Sequence, residues 1–272
     1  MLYTSQRTMY GASLSLAQML GKDYTVKENT TLNQLLDIYP TETLLPGQYP
    51  LLQYFCIGTG GNGIIENTDV YPYSNHSPLD AGLFNMVPFV LRETTNDLTP
   101  LEANKYRLRK IIRVDGKDYI AYYLRRIDRD TEIDFKENFY QISRRGNSDT
   151  IDILNLESRD VLHPTPISKV GKIISNNSSY VTKLAKVILQ LNANEVQELK
   201  QAIKTLNADF NLTEIGLVGG VEKNFPTGET EAICTQILYH VGMNMDLNIY
   251  FNTNTTFYKT IDIGGAEPLF LQ

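Results

Sequence analysis

The sequence predicts a strand-rich α+β fold, built from antiparallel sheets or a β-sandwich with a few short helices. Three observations point to it. Apolar runs of strand length recur at 51–57, 106–114, 117–127, 181–191, 212–218 and 232–241, separated by Gly, Pro and Asn turns. The chain has 17 Tyr and 10 Phe but no Trp, and Tyr and Phe suit half-buried pleated surfaces. Helical signals are few and local, each announced by a capping box.

In chain order, Thr31 with Gln34 opens a helix whose Leu32, Leu35, Leu36 and Tyr39 share one face and which Pro40 ends. Pro46, Gly47 and Pro50 then turn the chain into the run 51–57. A Gly/Asn/Pro/Ser-rich loop fills 58–80 before an apolar stretch at 81–91. Thr99 with Glu102, and Pro100 at the first helical position, marks a second short helix. Asp115-Gly116 lies between two strand-like runs, the pattern of a two-residue type I′ hairpin. That turn pairs Ile112 with Tyr119, Leu108 with Tyr123, Arg113 with Asp118 and Arg109 with Tyr122.

Short strands are expected at 135–142 and 151–156. His163-Pro164-Thr165-Pro166 is an extended spacer. It suggests two regions: a mixed α/β part over 1–160 with the central hairpin, and a β-rich part over 167–272 with one amphipathic helix. That helix starts at Asn192 with Glu195 and carries Val196, Leu199, Ile203 and Leu206 on its core face. A last strand is expected at 246–251.

Composition excludes some functions. No stretch approaches the apolar length of a membrane helix, and the start lacks the pattern of a signal peptide. A formal charge of −6 opposes a nucleic-acid coat, which needs excess Lys and Arg. Cys56 and Cys234 lie in apolar runs, where two buried free thiols are expected, a disulfide being the alternative.

Chemical motifs are sparse. Gly58, Gly60, Gly61 and Gly63 match G-x-G-x-x-G after a strand, but no helical periodicity follows and Pro72 is close. The pattern reads as a wide glycine loop, and no cofactor is expected. His76, His163 and His240 lack metal-ligand spacing, and there is neither a G-x-S-x-G nor a Cys-x-x-Cys. No enzymatic activity is expected. Between 105 and 145 there are twelve Lys/Arg against seven Asp/Glu. This reads either as a solvated strand face or as a basic surface that meets an acidic one on another subunit. Arg107, Arg109, Arg113, Arg125 and Arg126 are the candidate contact residues, with Arg144-Arg145 as a further pair, and the four loop glycines join them as an interface. DNA contact is a weaker reading.

Several stretches carry a resemblance. Tyr54-Phe-Cys-Ile-Gly-Thr-Gly-Gly-Asn62, Asp80-Ala-Gly-Leu-Phe-Asn-Met-Val-Pro-Phe-Val-Leu-Arg92, Asn96-Asp-Leu-Thr-Pro-Leu-Glu102, Tyr106-Arg-Leu-Arg109 and Tyr119-Ile-Ala-Tyr-Tyr-Leu-Arg125 together resemble virion structural proteins of contractile-tailed bacteriophages. Leu212-Thr-Glu-Ile-Gly-Leu-Val-Gly-Gly220 is similar to the "EIGL" segment of phage fibre and baseplate-associated proteins. The resemblance implies a neck, collar or baseplate component. It would be made in the host cytoplasm and placed in the virion, in a ring of copies of itself beside other virion proteins, with neither membrane nor nucleic acid as partner. The alternative is a carbohydrate- or receptor-binding module of a tail fibre, using Tyr71, Tyr73, Asn75 and His76.

Overall fold

The computed structural model describes residues 5–61, 76–145, 148–154, 162, 175–226, 228–247 and 256–270. The protein has the strand-rich α+β fold expected, and each strand pairing with a described register is antiparallel. The chain forms two compact units, one of residues 1–129 with 189–259, the other of 130–188 with 260–272. The second is thus an insertion completed by the C-terminal segment, a different division from 1–160 and 167–272. The spacer 163–166, where the sequence suggested a boundary, lies outside the described residues.

The larger unit is built on an eight-stranded sheet. Its main path runs β1 (Ser5–Arg7), β11 (Thr230–Asp246), β10 (Asn211–Asn224), β2 (Leu51–Gly58), β6 (Lys117–Arg126) and β4 (Val90–Glu93). Two further strands join it: β3 (Met86–Val87) on β2 and β5 (Tyr106–Val114) on β6. The β5–β6 hairpin forms as its turn dictates, with Asp115 and Gly116 both at positive φ, as a type I′ turn requires. Ile112 faces Tyr119, Arg113 faces Asp118 and Arg109 faces Tyr122, in the expected register. Leu108 departs from it: at φ +55° it breaks the ladder between Arg107 and Arg109 and is fully buried.

That break lets the sheet curl back on itself. At Leu108 the outer edge of β5 meets β11, and a side chain replaces the missing ladder. The Glu231 carboxylate accepts the main-chain N–H of Leu108 (2.7 Å), Arg109 (3.1 Å) and Ala232 (2.8 Å). Burial raises this carboxyl above its ordinary range, and the three N–H donors and the nearby Arg107 oppose the shift. Inside the curl lie Tyr54, Cys56, Leu108, Ala121, Leu124, Val218, Ala232 and Ile237.

The helices cover the sheet. α2 (Leu32–Leu36) has the capping box of Thr31 and Gln34 but stops at Asp37 in the left-handed region, short of Pro40. Its Asn33 makes every bond available to it. The amide donates to the carbonyls of Ile38 and Ala232, and its oxygen accepts from the N–H and hydroxyl of Thr235. α3 (Pro100–Ala103) and α4 (Ala193–Thr205) begin at their capping boxes, and Val196, Leu199 and Ile203 of α4 are buried. α1 (Met9–Leu20), capped by Thr8, was not foreseen because its Gly, Ser and Ala positions weaken the apolar period. Cys56 and Cys234 are free and buried.

The smaller unit is a four-stranded sheet ordered β12 (Phe257–Phe270), β9 (Ser175–Leu191), β7 (Ile133–Arg145) and β8 (Ser148–Ile153). Ile142 and Thr182 are buried, while Phe135 and Phe139 stay open to solvent with the Lys183 ammonium about 5 Å from each ring. Most of the expected strand at 246–251 lies outside the described residues.

Closing a sheet through one side chain makes that side chain indispensable. Glu231→Ala removes the carboxylate that accepts from the N–H groups of Leu108, Arg109 and Ala232, the first and last of them buried. At ~1–3 kcal/mol for each orphaned group, the expected loss is about 2–4 kcal/mol in denaturant-induced unfolding. An unchanged midpoint would show that β5 does not depend on Glu231.

Candidate functional site

One polar cluster stands out because its carboxylate, Glu214, and two imidazoles, His76 and His240, are all buried. Strand periodicity puts Glu214 and Gly216 on one face of β10. The register sets Gly58 and Cys56 of β2 opposite them on one side, and Gly242 and His240 of β11 on the other. Glycines therefore flank Glu214 on both neighbouring strands. The space at Gly58 is needed: a Cβ there would lie 2.4 Å from Glu214 Oε1. The segment Glu214-Ile215-Gly216-Leu217 thus supplies the carboxylate, and its neighbours supply the room.

Glu214 is fully buried and has a complete set of donors. Its Oε1 accepts the main-chain N–H of Gly60 (3.2 Å) and Asn85 (3.1 Å); its Oε2 accepts that of Phe84 (3.1 Å) and the His76 Nε2–H (2.7 Å). The other nitrogen of His76, Nδ1, lies 3.2 Å from Asp80 Oδ2. His76 thus bridges the two carboxylates, one ring nitrogen to each. Asp80 Oδ2 also accepts the Ser77 N–H.

His76 is sandwiched. Phe84 stacks at 4.3 Å between centroids, and the His240 ring stacks at 3.9 Å with 10° between the planes. His240 Nε2–H donates to the Asp80 carbonyl at 3.0 Å, which leaves its buried Nδ1 as an acceptor without a partner. Burial, reinforced by the charge on His76, pushes the His240 pKa down to about 4, against the opposing pull of the Asp80 carbonyl. The His240 ring in the stack is therefore a neutral imidazole.

The cluster's chemical capacity is restricted. Among the described residues no three His, Cys, Asp or Glu side chains are grouped to hold a metal ion. The Glu214 oxygens already face four donors, so none is directed at an open position. What the arrangement does is mechanical: a single carboxylate on β10 grips the chain at Gly60, at His76 and again at Phe84 and Asn85. Thr213 adds a bond from its hydroxyl to the Gly60 carbonyl, and the Asn85 amide donates to the Thr59 hydroxyl. The two ends of the segment 62–75 are held at the same point.

The interface residues expected from the sequence fall in different places. Gly58 and Gly60 belong to the Glu214 clamp; Gly61, at φ +77°, follows it. Gly63 lies outside the described residues, as do Tyr71, Tyr73 and Asn75. The arginines do not form one basic surface. Arg107 is buried and paired with Glu222 (2.6 Å), which also takes the Tyr54 hydroxyl; Arg125 is paired with Glu195 (2.8 Å) and Arg109 with Asp97 (2.8 Å). These three guanidiniums tie strands to strand, helix and loop within the chain. Arg113 is different, 72 % exposed and only loosely placed 4.0 Å from Asp118, while Arg126 is partly exposed beside Glu222. The described residues carry no side-chain account of Arg144 and Arg145.

The Glu214–His76–His240 cluster was not visible as a site from sequence spacing, because His76 lies 138 positions from Glu214 and Asp80 lies 160 from His240. The clue that existed was a charged residue inside an otherwise apolar strand, Leu-Thr-Glu-Ile-Gly-Leu, which needs partners once buried.

The chain belongs to a family of unknown function (DUF7208), whose model matches residues 2–272. Neither a curated protein nor a solved structure matches it.

The low pKa of His240 has a definite sign in stability. Its ordinary value is 6.5 and its folded value about 4, so in that window the unfolded chain binds a proton that the folded chain refuses. The contribution is complete above pH 6.5 and is lost as the pH falls towards 4. Relative to His240→Asn, the wild-type protein should lose stability faster on acidification, by up to about 1.4 kcal/mol per pH unit in that window. Parallel pH–stability curves for the two proteins would contradict this assignment.

Proposed function

We infer that this protein is a structural subunit of a tailed-phage virion, joining neighbouring subunits or fibres at the neck, collar or baseplate. The observation that carries the structural part is the clamp itself. A buried carboxylate, a histidine and three main-chain N–H groups are devoted to holding the chain at Gly60, His76, Phe84 and Asn85 on the sheet. Scaffolds that present a segment for recognition hold it in this way. The cluster has its hydrogen-bonding capacity turned inward, which suits positioning rather than turnover of a substrate.

The virion setting rests on the sequence resemblance at 54–62, 80–92, 96–102, 106–109, 119–125 and 212–220. The fold is compatible with that setting: Arg113, at the tip of the β5–β6 hairpin, donates to the Gly116 carbonyl but is largely exposed, where an acidic neighbour can reach it. In a ring of identical subunits a modest contact of this kind is repeated at every interface.

The test is immunogold electron microscopy of the source phage with antibody against the purified chain. Gold at the head–tail junction or at the distal end of the tail is the expected result. Unlabelled particles with accessible epitopes would overturn the virion reading. A second measurement addresses the contact residue. Arg113→Glu should leave the unfolding midpoint within about 0.5 kcal/mol, as exposed surface changes do, while reducing incorporation into particles. Normal incorporation would remove Arg113 from the interface.

A further inference from the structure

The edge of a sheet is a row of unpaired donors and acceptors unless something blunts it. In the larger unit the edges are short or closed. β1 is three residues long, β4 is four and ends in Arg92-Glu93, and the outer side of β5 meets β11 through Glu231. In the smaller unit β8 (Ser148–Ile153) stands at the end of the order β12-β9-β7-β8. It is six residues long, pairs with β7 without a shift in register, and contains neither Pro nor Lys.

The direction of its main-chain groups follows from that pairing. The Leu154 N–H donates to the Phe139 carbonyl at 2.9 Å. The register that sets Ile153 opposite Tyr140, and Ile151 opposite Ile142, continues to this pair. Bonded and non-bonded pairs alternate along an antiparallel ladder. Thr150 and Asp152 therefore bond to β7, while Ile151 and Ile153 turn both N–H and C=O to the outer side. Among the described residues no strand lies there. The side chains of the same two residues are open to solvent, Ile151 48 % and Ile153 63 % exposed. An added strand would pair the main chain and cover the isoleucines at once.

We propose that β8 is a self-association edge, pairing antiparallel with β8 of a second copy of this chain about a two-fold axis at Ile151, so that two four-stranded sheets become one. The occupant follows from how the strand reads against itself. Outward residues meet outward residues only when the axis passes through a residue. An axis at Asp152 sets two carboxylates directly opposite each other, which is destabilising. An axis at Thr150 pairs Ile153 with a position before Ser148, and one at Ile153 pairs Ile151 with a position beyond Ile153, so both run off the strand. The axis at Ile151 sets Ile151 against its own copy, Asp152 against Thr150 and Ile153 against Asp149. No two carboxylates then face each other. The pairing is independent of the virion setting and of the Glu214 clamp.

The test uses the full chain carrying Ile151→Cys or Ile153→Cys, treated with a short bifunctional thiol reagent. Across a bonded pair the Cα atoms are ~5.5 Å apart. Ile153 and its copy would be separated by four positions, about 14 Å along the strand. Ile151→Cys should therefore cross-link to a dimer, and Ile153→Cys at least tenfold less. The wild-type chain is the control, because Cys56 and Cys234 are buried. In sedimentation the wild-type chain should dimerise with rising concentration. Ile151→Lys, which sets two ammonium groups together at the axis, should stay monomeric with an unchanged unfolding midpoint. A wild-type chain that remains monomeric, a dimer that survives Ile151→Lys, or cross-linking that is equal at the two positions or absent from both would each overturn the proposal.

Discussion

A carboxylate removed from water must be surrounded by donors, and the larger unit is arranged around that requirement. Isolated burial of such a charge costs several kcal/mol, so Glu214 and Glu231 hold shape only where N–H groups converge on them. Both obtain those donors mainly from the main chain. Main-chain donors cannot swing away as a lysine or arginine can. Each buried glutamate therefore fixes the path of the chain that serves it: the segments around 60 and 84–85 for Glu214, and the edge of β5 for Glu231.

The same logic disposes of much of the basic charge between 105 and 145. Arg107, Arg109 and Arg125 meet Glu222, Asp97 and Glu195 within the chain, and Tyr54, Tyr106 and Tyr122 join those pairs through their hydroxyls. A local excess of positive charge in sequence thus becomes a set of struts in space. Tyrosine is well suited to this work, since its ring packs in the core while its hydroxyl reaches a carboxylate at the margin. Burial together with the adjacent carboxylates raises the pKa of all three phenols well above the usual value, so they remain donors.

The histidines add a second kind of constraint. His76 bridges Glu214 and Asp80, and His240, stacked on it, is kept neutral by burial. The arrangement joins β10, β11 and the chain at Gly60, His76, Phe84 and Asn85 at one point.

Local chemistry was legible in the sequence. The capping boxes at Thr31, Thr99 and Asn192 placed three helix starts, and Asp115-Gly116 set the register of the central hairpin, because these effects act within a few residues. Strand-length apolar runs gave the fold class for the same reason. Other features were decided only in three dimensions. The end of α2 at Asp37, the kink at Leu108 and the insertion of the smaller unit follow from contacts made far along the chain. So do the meeting of Glu214 with His76 and the engagement of Arg107 and Arg125. A buried charge states in the sequence that it needs partners; which residues answer depends on strand order and register, and those are properties of the folded sheet alone.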